Sequence, residues 1–304
     1  MDMTLALSSI GLIGYGEVGK TFSAGLKTKP GVRSMSAWDM TFASDMVKGR
    51  ERAHAQAAGV RAMDSMQALC AASHLIISAV TASSTLAVAQ EAARYLQKGS
   101  LFLDLNSASP GTKQLCAQAI EAVGGQYVEA GVMTSVPPYG IKVPMLLGGT
   151  RAAELACALV VWGLDAKAVS EKLGVASAIK MCRSVMIKGL EALVIESYAT
   201  ARAYGVEEHV LPTLAETFPS IDWSAQGAYF FSRVAQHGQR RAEEMREAAN
   251  TVRETGFEPW MASATAHKQQ WVADQAAAGV FKDLANDAHW QAYADRLLTN
   301  GAQA

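Results

Sequence analysis

Two hydrophobic periodicities divide the chain. From Ser9 to Leu147, short apolar runs alternate with Ala-rich amphipathic segments, the pattern of parallel strands joined by crossover helices. Residues 10–13, 34–38, 75–80, 101–105, 126–130 and 144–147 read as strands. Most are largely apolar, as strands covered on both faces must be. After about Ala168 the pattern becomes helical: residues 177–204, 229–254, 259–278 and 283–298 carry long amphipathic runs, with no clear strand among them. The expected architecture is α/β: a doubly wound, mostly parallel sheet over residues 1–168, then an all-helical domain over 169–304 for substrate binding and dimerisation. A length of 304 residues suits two cores better than one, and no Pro/Gly/Ser linker separates them.

Composition narrows the field. With 27 basic and 28 acidic residues, no global field draws the chain to nucleic acid or to an anionic membrane, so any anionic ligand must be held by local groups. Cys70, Cys116, Cys157 and Cys182 stand far apart without a Cys-x-x-Cys pair, and the six histidines lack metal-ligand spacing; no metal is expected, and the thiols read as reduced and mostly buried. No secretory leader or membrane span is evident, which makes the cytoplasm the expected compartment.

The chemistry begins at the first strand. Residues 10–13 lead into Gly14-Tyr15-Gly16-Glu17-Val18-Gly19, followed by a helix with Val18, Phe22 and Leu26 at one-turn spacing. A Gly-x-Gly-x-x-Gly between strand and helix is the Rossmann dinucleotide fingerprint: the first glycine makes the tight turn, the second admits the pyrophosphate and the third lets helix pack on strand. Unpaired N–H groups at the helix start then face the phosphates. Asp39 closes the second strand, where a carboxylate accepts from the adenosine ribose and repels a 2′-phosphate. NAD is therefore expected, and Lys48, Arg50 and Arg52 downstream keep NADP open.

Three further segments follow in order: Asp104-Leu105-Asn106-Ser107-Ala108-Ser109-Pro110, then Gly131 to Gly149, then Gly174-Val175-Ala176-Ser177-Ala178-Ile179-Lys180. This order resembles the β-hydroxyacid dehydrogenase superfamily, which includes 6-phosphogluconate and 3-hydroxyisobutyrate dehydrogenases. Residues 136–144, 177–181 and 240–245 are similar to a branch with a DUF1932 C-terminal domain. The resemblance implies hydride transfer between the nicotinamide and a secondary alcohol or ketone, at a site between the domains. It also implies Lys180 as the catalytic group, with Ser107 and Ser184 beside it, and Asn106, Val80 and Thr81 near the nicotinamide. A lysine suits the chemistry, since an ammonium stabilises the charge that develops on a carbinol oxygen as hydride leaves.

Several positions depart from the family pattern. Ser184 replaces a longer asparagine, and Ile187 stands where 6-phosphogluconate dehydrogenases have the acid for decarboxylation. Met133-Thr134-Ser135 replaces Ser-Gly-Gly, and Pro137-Pro138 and Lys142 follow it. The expected pocket is stiff and less polar than its relatives'. His237, Arg240 and Arg241 share one side of a helix; they either reach an acidic substrate or pair with Glu243, Glu244 or Glu247. The aromatic residues of the helical part, Trp223, Tyr229, Phe230, Trp260 and Trp271, read as core or as the interface of a homodimer. Two rival readings are an imine reductase on the same scaffold, against which Lys180 speaks, and a dinucleotide-binding protein without turnover.

Overall fold

A computed structural model of the chain describes residues 7–43 and 48–301. It divides into two compact units, residues 1–181 and 182–304.

The first unit alternates strand and helix. In chain order its elements are β1 (Ser9–Ile13), α1 (Glu17–Leu26), β2 (Ser34–Trp38), α2 (Lys48–Ala57), β3 (Arg61–Ala62), α3 (Met66–Ala71), β4 (Leu75–Ser78), α4 (Thr85–Ala93), β5 (Leu101–Asp104), α5 (Pro110–Ala122), β6 (Gln126–Val132), β7 (Met145–Gly148), α6 (Ala152–Val161) and β8 (Ala166–Ser170). The strands form one sheet in the order β3-β2-β1-β4-β5-β6-β7-β8. The first six are mutually parallel, β7 runs antiparallel to β6, and β8 is parallel to β7. The expected apolar strands are the central ones. Ile10, Leu12, Leu75, Ile77, Leu103 and Val128 face one core, and Ile13, Ile76, Phe102 and Tyr127 face another. A sheet with helices on both faces requires both cores.

Strand order reverses between β1 and β4, so the loops after β1, β4 and β5 gather at the carboxyl ends of the parallel strands, where ligands of doubly wound sheets bind. The antiparallel β6–β7 pair brings the loop 133–144 to the same edge, since Val132 pairs with Met145. Ile141 in that loop fits a notch on α1: a Cβ on Gly25 would lie 2.3 Å from Ile141 Cγ2.

Two strands differ from the sequence reading. β3 is a two-residue edge strand, and β8, Ala-Lys-Ala-Val-Ser, lies at the other edge and is half-buried along most of its length, so neither has an apolar run to betray it. The unit boundary falls past residue 168, because β8 and the first turns of α7 (Val175–Tyr204) pack with the sheet.

The second unit contains the rest of α7, then α8 (Glu207–Thr217), α9 (Trp223–Glu254), α10 (Trp260–Ala277) and α11 (Trp290–Gly301). Tyr198, Trp223, Phe231, Val272 and Trp290 belong to its core. Helices α9 and α10 run close together at Gly238, where a Cβ would meet Gln269 O at 2.8 Å. Just before it, His237 leaves helical geometry (φ −133°, ψ 15°) and bends α9. Trp223 and Phe230 are buried, whereas Tyr229 and Trp260 are 54% and 76% exposed, so the aromatic residues divide between core and surface. The thiols divide as well: Cys70 and Cys116 are buried, while Cys157 and Cys182 are exposed, against the expectation of mostly buried ones. Among the described residues, no helix is long and apolar enough to cross a membrane, and no group of three His, Cys, Asp or Glu residues could hold a metal ion.

Candidate active site

The glycine loop has three different constraints. Gly14 adopts φ +92°, and a Cβ there would lie 2.3 Å from Ala79 O of the neighbouring loop; both facts admit only glycine. A Cβ on Gly19 would meet Gly14 O at 2.2 Å, so helix and turn are pressed together. Gly16 is the opposite case: a Cβ there would meet nothing within 4 Å. It is the N-cap of α1 and offers no side-chain cap, which leaves room at the helix start for a pyrophosphate. Glu17 is exposed and Val18 half-buried beside it. The residues present fit a dinucleotide on this structural ground.

Asp39 braces the same loop. Its Oδ2 accepts from the backbone N–H of Tyr15 at 2.6 Å, and its Oδ1 accepts from the backbone N–H and hydroxyl of Thr41 at 2.8 and 2.7 Å. With two acceptor sites on each oxygen, Oδ2 keeps one for a ribose hydroxyl. The Tyr15 ring is buried against Phe42 and His54, and burial raises its phenol pKa. Arg52 donates to Asp64 and lies over Phe42. The side chain of Lys48 lies outside the described residues.

The loops after β4 and β5 are tied by one amide. Asn106 is buried; its Oδ1 accepts from the Val80 N–H at 2.7 Å, and its Nδ2 donates to Ser78 Oγ at 3.0 Å. Thr81 is exposed at the start of the following turn. Beneath Asn106 lies a buried charged cluster that the sequence reading did not single out. Asp104 Oδ1 accepts from Lys113 Nζ at 2.9 Å and from the Asn106 N–H at 2.9 Å, while Asp104 Oδ2 accepts from Tyr127 OH at 2.6 Å. Lys113 and Asp104 are fully buried. Burial and the Asp104 charge hold the Tyr127 phenol well above its ordinary pKa, so it remains a donor.

Ser107 follows directly, half-buried, and accepts a 2.5 Å hydrogen bond from Lys180 Nζ. The predicted pair, 73 residues apart in sequence, thus meets in space. Lys180 sits on α7, whose first turn is held by a strand: Glu129 Oε1 accepts from the N–H groups of Gly174 and Ala176 at 2.7 and 3.1 Å, and Oε2 from Ser177 N–H at 3.3 Å. A lone charge within an otherwise apolar strand is the sequence signal for both Asp104 and Glu129.

The remaining candidates are spread out. Met133 is half-buried at the start of the loop 133–144, its N–H donating to Pro144 O at 2.9 Å; Thr134 and Lys142 are exposed and Ser135 half-buried. In the second unit, Ser184 is buried and accepts from Lys188 Nζ at 3.3 Å, while that ammonium pairs with Glu244 at 2.7 Å. Arg241 is buried and paired through both nitrogens with Glu191, the Nε contact being 2.9 Å. Arg240 is exposed, 3.9 Å from Glu244, and His237 is at the bend of α9. The His237, Arg240 and Arg241 face is therefore divided: Arg241 points into the helical core and Arg240 lies at the surface.

Residues 9–157 match the NAD-binding domain of 6-phosphogluconate dehydrogenase, and residues 201–272 match the domain of unknown function DUF1932. A conserved hypothetical protein from Sinorhizobium meliloti 1021 is 38% identical, with 96% of each chain covered and a TM-score of 0.75. An uncharacterized 28.5 kDa protein of Methanothermus fervidus is 30% identical over 266 residues, 84% of this chain and 95% of its own. A further conserved protein of unknown function, described as structurally similar to 3-hydroxyacid dehydrogenases, is 29% identical over 88% of this chain and 98% of its own, with a TM-score of 0.66. The chain belongs to the 6-phosphogluconate-dehydrogenase-like family of NAD-binding proteins that carry a DUF1932 C-terminal domain.

Proposed function

We propose that the protein is an oxidoreductase that moves hydride between NAD(H) and a secondary alcohol or its ketone. The observation that carries this reading is the Lys180–Ser107 hydrogen bond of 2.5 Å, formed beside the sheet edge where the glycine loop opens. The N-terminus of α1 would hold the pyrophosphate, Asp39 a ribose hydroxyl, and the Val80–Thr81 loop the nicotinamide end. When bound, the nicotinamide supplies the acceptor or donor of hydride. Ser107 and Lys180 would both face the substrate oxygen. In oxidation, the alcohol would lose hydride from carbon to the nicotinamide and its hydroxyl proton to the neutral Lys180 amine; the ammonium so formed stabilises the charge developing on that oxygen, and Ser107 orients it. In reduction, the same lysine delivers the proton to the forming alkoxide.

The substrate is a less polar alcohol or ketone in this reading. Met133 and the Pro137-Pro138 segment offer few donors, and a buried hydroxyl without a partner costs about 1–3 kcal/mol. The acceptor on Asp39 favours NAD over NADP. The exposed Tyr229 and Trp260 give a homodimer apolar surface to cover.

Lys180→Ala tests the assignment. Turnover of NAD with a panel of secondary alcohols should fall by about a hundredfold or more, while NADH affinity by calorimetry stays near that of the parent. A turnover number close to the parent's makes Lys180 structural and removes the mechanism. High activity on sugar acids alone would overturn the substrate class and leave the reaction type standing.

A further inference from the structure

We infer that Glu129 is a positioning residue for Lys180: its buried carboxylate sets where α7 lies on the sheet and so where the ammonium meets Ser107. Most helices are capped by a residue of their own leading turn. Here the acceptor comes from β6, 45 residues before Gly174, and it is a fully buried carboxylate with three backbone N–H partners and no ion-pairing cation among the described residues. Burying a charge in this way is costly unless it is fully hydrogen-bonded, and a serine cap would satisfy one N–H group where the carboxylate holds three. The strand-borne carboxylate adds a fixed tie between helix and sheet, strengthened by the positive end of the helix dipole.

Two glycines keep the tie short. A Cβ on Gly148, the register partner of Glu129, would lie 2.5 Å from Glu129 Oε1. A Cβ on Gly131 would lie 2.9 Å from Ala176 O and 3.4 Å from Lys180 Cβ, so α7 rests on β6 at the very turn that bears the lysine. Lys180 is one helical turn past Ala176, about 6 Å along the axis, close enough for the clamp to govern it. The other half of the pair is held by the neighbouring strand. Asp104, in register with Glu129 across the β5–β6 ladder, holds the Asn106 N–H one residue before Ser107. The two strands thus carry one clamp each, and their shared register fixes the gap between serine and lysine.

The consequence for catalysis rests on the proposed role of Lys180, but the test needs no substrate. Lys180 is labelled with an acylating amine reagent at one fixed alkaline pH, and the rate is read by peptide mass spectrometry. Ser107→Ala, which removes the hydrogen bond, should speed labelling by about threefold to tenfold. Glu129→Gln should do the same, and the Ser107→Ala/Glu129→Gln double variant should go no further than either single change, as coupled residues do. Gly131→Ala displaces α7 without touching the carboxylate and should act in the same direction, which keeps the inference testable if Glu129→Gln does not fold. Lys113, fully buried, reports general loosening and should stay unlabelled throughout. Parental labelling of Lys180 in both Glu129→Gln and Gly131→Ala, multiplying effects in the double variant, or Lys113 labelled in step with Lys180 would each overturn the inference. Turnover loss in Lys180→Ala is a separate measurement, so a wrong enzyme assignment and a wrong positioning role give different results.

Discussion

The carboxamide oxygen of Asn106 accepts the backbone N–H of Val80 at 2.7 Å, joining the turn after β5 to the turn after β4. Because the amide nitrogen is given to Ser78, this side chain works as a brace between loops.

Removing the brace should therefore loosen the loops before it alters any chemistry. Asn106→Ala leaves the Val80 N–H without its acceptor, at about 1–3 kcal/mol for the group left unpaired. Urea denaturation should show that loss, and calorimetry a weaker NADH affinity. Unchanged stability would mean that the Val80 loop is held by something else.

Asp39 has a double duty that sharpens the cofactor prediction. NADH should bind more tightly than NADPH. Asp39→Ala should weaken both, because it also removes the acceptor for Tyr15 N–H and Thr41. Asp39→Asn keeps one carbonyl acceptor without the charge, and should narrow the gap between the two cofactors with a smaller overall loss. Titration calorimetry of the three proteins decides; equal affinities in the parent would sink the preference.

The Asp104–Lys113 pair predicts a large stability effect away from any ligand. Lys113→Met leaves a fully buried carboxylate with no cation, a change that costs about 3–5 kcal/mol in comparable pairs. Asp104→Asn in the same background should recover part of it by removing the stranded charge. Denaturation midpoints of the single and double variants check the order: a double variant less stable than Lys113→Met contradicts the account.

Acid sensitivity of the second unit should trace to Arg202. Its hydrogen bonds to Asp295 and Glu207 lower the pKa of both carboxyls. Each folded pKa then lies below the unfolded one, so the contribution is complete above about pH 4.5 and is lost as pH falls through the lowered values. Arg202→Met should flatten the acid limb of melting temperature against pH and leave its slope near neutrality unchanged. An acid limb as steep as the parent's would assign the sensitivity elsewhere. Asp295 is half exposed, so its share of the effect should also shrink with salt.

Much of the first unit was legible because its strands are buried on both faces. Residues 10–13 are apolar throughout and 75–80 and 101–105 are broken only by Ser78 and Asp104, and Gly14, Gly16 and Gly19 sit where strand period gives way to helix period. β8 escaped because a half-buried edge strand needs no apolar run, and α8 because Pro212 interrupts its pattern. Lys180 and Ser107 were found through family resemblance, since nothing local to either residue announces a partner 73 positions away. Lys113 and Glu129 illustrate the same limit. Each is a single charge whose meaning depends on what the fold brings against it, and a buried lysine on an amphipathic helix reads like any solvated one until Asp104 is seen beneath it. The His237, Arg240 and Arg241 triplet shows the converse: one side of a helix in sequence is divided in space, Arg241 turning to Glu191 in the core and Arg240 to the surface.

The antiparallel turn from β6 to β7 has a consequence for how such a protein can diversify. Every other connection between the first six strands passes through at least a helix, so a change in its length shifts a packed layer. The loop 133–144 returns directly and is seated on α1 through Ile141 in the Gly25 notch. Insertions ahead of that anchor can reshape the loop while the glycine loop keeps its geometry. Such a loop can be exchanged without repacking the sheet, provided that residue 25 stays without a side chain.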